Sequence, residues 1–344
     1  MASELSSGLD DSLEQALKEA PSGKWRFAEN FLFAAYDPEP GIGLWTHLGT
    51  WPDDFGLWED QLLCSLPGDE GVLTSFSYHR TAPDERPAGS NLVYRCVEPF
   101  RRWKVTFDGV AVRSSYDEMR AGLLPDGPKE RLSIELDIEC VTPAWDPAAA
   151  GHSAAAAMSE QSWASQHYQQ SLRATGRVRL EDRTVEFNGS GTRDHSRGQR
   201  GHATEHFGGH TMIGAAFPSG RAFGLMRMWD PTGRLNLDVG YVVEDGVLRP
   251  AEVVEAPKLG GLRLRDEKLS IVLRTPQGEH ELHGTTAATT VATALPGLGM
   301  AFGASTQGDL TVFAQTFARW EWDGETAYGL TERSDRRANL DQAP

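Results

Sequence analysis

From Leu132 the chain reads Leu-Ser-Ile-Glu-Leu-Asp-Ile-Glu-Cys, with apolar and polar side chains taking strict turns to Cys140. A period of two marks a strand with one face buried and the other in water. Shorter strand-like runs lie at 61–66, 72–78, 91–97, 102–107 and 110–115. Others follow at 173–180, 184–187, 212–217, 221–229, 235–243, 247–250, 262–265, 269–274, 279–283 and 310–320. Turn residues separate them. Asp108-Gly109, Asp245-Gly246 and Asp323-Gly324 are aspartate–glycine pairs of the kind that closes two-residue hairpins, and Pro218-Ser219-Gly220 supplies another turn. Short antiparallel strands at this spacing predict an all-β protein, built as barrel or sandwich.

Three stretches depart from the pattern. Leu9, Leu13 and Leu17 recur every four residues behind Asp10-Asp11, predicting a short amphipathic N-terminal helix that Pro21-Ser22-Gly23 stops. From 25 to 58 the chain is aromatic, punctuated by Gly and Pro, and poorly periodic. It reads as irregular loop, suited either to packing or to lining a pocket opening, with Glu29, His47, Trp51 and Glu59 in or beside it. Pro147, an alanine cluster and Gly151 make 146–162 a linker near the junction of two halves. The expected division is a helix at 1–23, a β domain at 24–165, a second at 166–333 and a polar tail at 334–344.

Composition narrows the partners. A length of 344 residues suits two domains, and a formal charge of −16 opposes binding to nucleic acid or to an anionic membrane surface. No run approaches the ~20 apolar residues of a membrane span, and the first twenty residues lack the pattern of a signal peptide. Cys64, Cys96 and Cys140 are odd in number and widely spaced, which fits reduced thiols in the cytoplasm. Ten tryptophans, mostly in the first half, serve a core or line an apolar pocket.

Candidate chemistry concentrates at Phe187-Asn188-Gly189-Ser190-Gly191-Thr192-Arg193-Asp194-His195-Ser196-Arg197-Gly198-Gln199-Arg200. Asp194 and His195 are the candidate acid–base pair. The alternative is a structural ion-pair cluster in which Asp194 is held by Arg193, Arg197 or Arg200. In an extended strand Arg193 and His195 point one way while Asp194 and Ser196 point the other, so only a bulge or turn would bring the pair to one pocket. Nearby arginines would also lower the pKa of Asp194, opposing its use as an acid. His202-Ala203-Thr204-Glu205-His206 matches His-x-x-Glu-His formally, but the glycines around it oppose the helix a zinc protease needs. No phosphate-binding glycine loop, dinucleotide fingerprint or Gly-x-Ser-x-Gly occurs, so no nucleotide cofactor and no serine-hydrolase elbow are expected.

Gly189-x-Gly191-x-Arg193-Asp194-His195-Ser196-x-Gly198-x-Arg200 resembles the signature of the carotenoid hydratase-like (hydroxyneurosporene synthase-like) superfamily. His167-Tyr168-x-Gln170 with Gly176, the segment from Glu98-Pro99 to Asp108-Gly109, and the closing Trp320-Glu321-Trp322-Asp323-Gly324 with Tyr328-Gly329-Leu330-Thr331-Glu332 extend the likeness over most of the chain. Arg197 departs from it, standing where the family usually has Trp. The resemblance implies two lipocalin-like antiparallel β-barrels in tandem. It also implies cofactor-independent chemistry of the kind seen in hydratases of acyclic carotenoids and of a prenylated isoflavonoid, with cyclases among distant relatives. The expected function is hydration, isomerisation or cyclisation at a carbon–carbon double bond of a hydrophobic, isoprenoid-like substrate, with neither cofactor nor metal. Asp194 and His195 would be catalytic, with His167, Tyr168, Arg193, Arg197, Arg200, Glu205, His206, Trp229 and Trp51 around the substrate. A lipocalin-like carrier of an apolar small molecule and a metal hydrolase are the alternatives. A homodimer is left open.

Overall fold

The computed structural model describes residues 4–123, 127–150, 164–181, 183–200, 207–263, 265–295 and 299–340. Two closed antiparallel barrels follow one another along the chain. The first uses β1 (Phe27–Asp37), β2 (Ile42–Trp51), β3 (Asp54–Ser65), β4 (Val72–Arg80), β6 (Arg102–Ser114), β7 (Lys129–Cys140), β8 (Gln166–Leu180) and β9 (Arg183–Gln199). Their order is β4-β3-β2-β1-β9-β8-β7-β6, closed by pairing of β4 with β6, while β5 (Leu92–Glu98) adds to β6. The second uses β10 (Gly209–Ala216), β11 (Ala222–Trp229), β12 (Leu235–Glu244), β13 (Val247–Glu255), β14 (Lys268–Thr275), β15 (Gly278–Leu295), β17 (Thr311–Trp322) and β18 (Glu325–Arg336). β14 pairs with β15 to close that ring, and β16 (Gly299–Phe302) folds back on β15. The only α-helix among the described residues is α1 (Tyr116–Ala121), capped by Ser115 and Glu118. No described helix is long and apolar enough to cross a membrane.

Each barrel is filled by its own side chains. Phe31, Phe33, Trp58, Tyr94, Trp103 and Phe107 pack inside the first, and Phe217, Phe223, Leu225, Trp320 and Trp322 inside the second. Each such side chain, fully buried, stabilises by about 1.5–3 kcal/mol. A cavity inside the first barrel, among Phe33, Leu44, Val105 and Leu172, has about 10 Å³. That is room for a water, not for an apolar ligand of the kind expected in a barrel mouth. A third apolar cluster joins the barrels by their outer faces, with Leu32, Ala34, Tyr36 and Trp45 meeting Met212, Met226, Tyr241 and Phe317.

Several expectations are corrected here. β8 and β9 complete the first ring, so the chain passes between barrels after Gln199 and before Gly209, not at 165/166. The stretch at 25–58 is not loop but β1, β2 and the start of β3. β1 and β2 are buried on both faces, by the barrel core and by the second barrel, and this removes the polar alternation that marks a half-buried strand. Asp108-Gly109 lies mid-strand in β6, where Gly109 pairs with Leu132 and Asp108 bonds Arg131 at 2.7 Å; the inward row Trp103, Val105, Phe107 and Ala111 outweighs the turn signal. The N-terminal helix is instead two 3₁₀ turns, Glu4–Ser6 and Asp11–Glu14, whose leucines pack on Phe100, Ala144 and Tyr168. The strand expected at 262–265 falls partly outside the described residues; 262, 263 and 265 are not in a strand, and Arg265 stacks over Tyr116 and donates to the Leu66 carbonyl. Ser334 and Asp335 belong to β18, so the tail begins later than 334. Asp323 and Asp245, each followed by glycine, do close hairpins, with both turn residues at positive φ.

Candidate active site between the barrels

β9 carries two kinds of chemistry on its two faces. Arg193, His195 and Arg197 point into the first barrel, where they meet carboxylates from the N-terminal segment and β1. Glu14 binds Arg193 and the Tyr168 hydroxyl, and accepts from Phe100 N at 2.9 Å and Trp103 Nε1 at 3.0 Å. Glu29 accepts from Arg197 Nε at 2.6 Å and Leu17 N at 2.8 Å and meets His195 Nε2 at 2.9 Å. His195 stacks on Phe31 with ring centroids 3.9 Å apart, and its Nδ1 lies 2.6 Å from the Tyr168 hydroxyl. Burial would raise the Glu14 carboxyl, but Arg193 overrides it and brings it to about 2. Burial would likewise raise Glu29, and His195 and Arg197 hold it below its ordinary value. Every charge here is paired and sealed by the N-terminal segment, so the cluster is a plug of the barrel end.

The opposite face of β9 looks toward the second barrel. Strand register lays two adjacent rows of side chains across this outer surface. One row runs His167, Ser196, Asn30, Gly49, Glu59 and Tyr78; the other runs Gln169, Asp194, Leu32, His47, Gln61 and Phe76. Asp194 is bonded by His167 Nε2 and accepts from Gln169 Nε2 at 2.9 Å. Glu59 Oε1 accepts from Gln61 Nε2 at 3.1 Å, and Arg200 donates to Ser196 Oγ at 3.0 Å. The facing wall has matching rows: Met228, His210, Ser334 and Phe313, beside Met226, Met212, Glu332 and Gln315. His210 sits between Ser334 Oγ at 2.6 Å and Glu332 Oε1 at 2.7 Å. The walls meet where Gln169 reaches Met212 Sδ at 2.7 Å and where Phe76 lies edge-on to Phe302 of β16.

Burial drives two neighbouring groups in opposite senses. It raises the Glu59 carboxyl to about 7, with Arg200 opposing, so that much of it keeps its proton at neutral pH. It lowers His47 to about 4, assisted by Arg200, so the imidazole is neutral. Burial also works to raise Asp194, but the His167 charge and hydrogen bond outweigh it and hold the carboxyl down, leaving it ionised. Arg200 itself falls to about 10 through burial. Glu59 Oε2 and His47 Nδ1 are buried without a hydrogen-bond partner among the described residues. An acid and a base on adjacent strands, shifted apart by one environment, are an arrangement suited to proton transfer. Among the described residues no group of three or more His, Cys, Asp or Glu side chains is arranged to hold a metal ion.

A family model described as Domain of unknown function (DUF7064) matches residues 12–337. The chain belongs to the DUF7064 family. No curated protein matches this DUF7064 sequence. Solved structures do share its fold. One, from Nitrosomonas europaea and provisionally called AttH, has a TM-score of 0.52 at 11% identity, covering 90% of this chain and 92% of that one. CghA has a TM-score of 0.51 at 8% identity, covering 96% and 95%. CghA with Sch210972 has a TM-score of 0.50 at 10% identity, covering 96% of each chain. These likenesses establish for the DUF7064 chain the lipocalin-like β-barrel fold.

Of the residues singled out in the DUF7064 sequence, Asp194, His167 and Arg200 lie on the surface between the barrels. Alternation along β9 puts His195, Arg193 and Arg197 on the other side with Tyr168, so Asp194 and His195 do not share a pocket. Trp51 stands edge-on to Tyr78 at 5.8 Å, near the Glu59 end. Trp229 is covered by Lys258, whose Nζ is 4.4 Å from the ring centroid. Glu205 and His206, with the rest of the His-x-x-Glu-His pattern, lie outside the described residues. Asn30, Gly49, Gln61, Gln169 and the His210–Glu332 pair were missed, and neither His47 nor Glu59 was given a role. Their signal is a polar residue within an otherwise apolar strand, as in Leu44-Trp45-Thr46-His47-Leu48 and Trp58-Glu59-Asp60-Gln61-Leu62.

Proposed function

We propose that this DUF7064 protein is a cofactor-independent acid–base enzyme acting on a carbon–carbon double bond of a hydrophobic small molecule held between its barrels. Its reaction is hydration, or isomerisation or cyclisation through the same cation. Glu59 gives its proton to one alkene carbon, and positive charge develops on the more substituted carbon beside it. Trp51, Tyr78 and Phe76 offer ring faces to that charge. In hydration a water attacks the cation and His47 takes the water's proton; in isomerisation His47 takes a proton from a neighbouring carbon instead. Gln61 orients Glu59. Asp194, kept ionised by His167, is an electrostatic and positioning partner, and the donor role expected for it passes to Glu59.

The observation that carries this reading is the opposed shift of Glu59 and His47 on adjacent strands, with an unpartnered atom on each. The solution of CghA with Sch210972 supports the use of this fold for binding small molecules. The test is incubation with a panel of acyclic isoprenoids in ¹⁸O-labelled water, reading ¹⁸O incorporation and isomer formation by mass spectrometry. Glu59→Gln and His47→Ala are each expected to lower the rate by about 10²-fold or more while the melting transition stays cooperative. Full turnover in both variants would exclude the assignment.

A further inference from the structure

We infer that the cleft beside Trp145 is a second binding site, remote from Glu59, and that its ligand is a small organic ammonium, a protonated amine on a compact apolar group. The inference does not rest on the acid–base reading. Trp145 is bridged to Gln169 of β8 by two backbone bonds, Trp145 N to Gln169 O at 2.8 Å and Gln169 N to Trp145 O at 2.9 Å. Glu59 stands on β3, which β2, β1 and β9 separate from β8 in the sheet. At about 4.8 Å per strand the two places are roughly 15–20 Å apart.

Three parts of the fold build the cleft. Ala144 donates its N–H to the Leu5 carbonyl at 2.7 Å, so the N-terminal segment lies against this stretch and brings Leu9 to the wall. β13 supplies Leu248 and Pro250 from the second barrel; two residues apart on one strand, they share a face, and Pro250 is the cross-strand partner of Tyr241. Tyr241 packs against the Trp145 ring with centroids 4.8 Å apart, which fixes the indole at the cleft. The free volume is about 200 Å³. An apolar cavity of about 150 Å³ is enough for benzene, so this one takes a single ring and a short chain.

The lining sets the charge of the ligand. Apart from Ser7 and Asp146, every lining residue is apolar. Asp146 is the only ionisable group there, and no cation among the described residues pairs with it. Its Oδ1 accepts from Ala148 N at 2.8 Å at the start of the 3₁₀ turn Pro147–Ala150, which holds the carboxylate in place. A fixed carboxylate beside an indole in a mostly apolar cleft suits an ammonium. The carboxylate accepts its N–H, the indole π-system attracts its charge, and the hydrocarbon walls take the apolar group. An anion would be repelled by Asp146, and a neutral molecule would cover the carboxylate without bringing a counter-charge.

Three probes of one shape test this at neutral pH and physiological salt: phenethylamine, which is protonated; phenethyl alcohol, which is neutral; and hydrocinnamate, an anion. Ligand-observed NMR titrations of the full chain read their affinities. Phenethylamine should bind about fivefold more tightly than the alcohol or better, and hydrocinnamate should be the weakest. Asp146→Asn keeps an oxygen to accept from Ala148 and should bring the amine down to the affinity of the alcohol, whose own binding stays unchanged. Ala149→Trp, at an exposed lining position, fills the cleft and should abolish binding of both. If that variant does not fold, Leu248→Trp fills the cleft from β13 instead. Equal affinity for amine and alcohol, binding of no probe, or binding undiminished in the filled cleft would overturn the inference. An amine preference that survives Asp146→Asn would overturn it too, because it would report only attraction to the net charge of −16.

Discussion

Replacing Glu59 by glutamine should stabilise the protein at alkaline pH, although it removes a residue assigned to catalysis. Burial raises this carboxyl from 4.5 to about 7. In the unfolded chain it ionises at its ordinary value, so the favourable contribution of the protonated form is complete below pH 4.5 and is lost as pH rises through about 7. A shift of this size corresponds to about 3 kcal/mol, using about 1.4 kcal/mol per pKa unit. Glutamine keeps the shape and the hydrogen bond to Gln61 but never has to ionise in the slot. The difference between variant and wild type should therefore swing by about 3 kcal/mol in favour of the variant between pH 4.5 and pH 8. Urea unfolding followed by tryptophan fluorescence at several pH values across that range measures it, and the other titrating groups largely cancel in the difference. A pH-independent difference, or one that turns against the variant as pH rises, would refute a buried carboxyl at Glu59.

His47 should give the mirror result. Its folded value of about 4 lies below the ordinary 6.5, so the stability that depends on its neutral form is complete above 6.5 and lost as pH falls toward 4; His47→Gln should flatten that part of the wild-type profile. Glu14→Ala should cost about 3–5 kcal/mol by stranding the Arg193 guanidinium inside the first barrel, as read by urea unfolding at pH 7. The same carboxyl, held at about 2, makes the wild type lose stability as pH falls from 4.5 toward 2, a loss that Glu14→Gln should lack. Gly49→Ala should lower turnover and ligand affinity together, because its methyl group collides with the Asn30 amide; unchanged kinetics in a folded Gly49→Ala would place the reacting centre elsewhere.

Much of this was legible in the chain. Alternation in β7 and the Asp-Gly pairs at 245–246 and 323–324 gave an antiparallel β protein. The same rule of alternation separated Asp194 from His195, and their side chains do lie on opposite faces of β9. β1 and β2 escaped because both their faces are covered, which erases the period that identifies a strand. His47 and Glu59 were seen but not joined, because their relation depends on a register spanning β1, β2 and β3 and on a second barrel that dries the surface between them. No local spacing encodes that. The arginines that suggested a substrate pocket belong largely to the plug, since a long-range partner such as Glu14 leaves no mark near β9 in the sequence.

The central claim is that substrate is held between the barrels rather than inside one of them. A crystal structure of the protein soaked with an acyclic isoprenoid alkene tests it most directly. Density is predicted between the two outer faces, beside Glu59 and His47 and running toward Trp51. Density inside the first barrel, or only in the cleft of about 200 Å³ beside Trp145 and Leu248, with none beside Glu59 and His47, would contradict it.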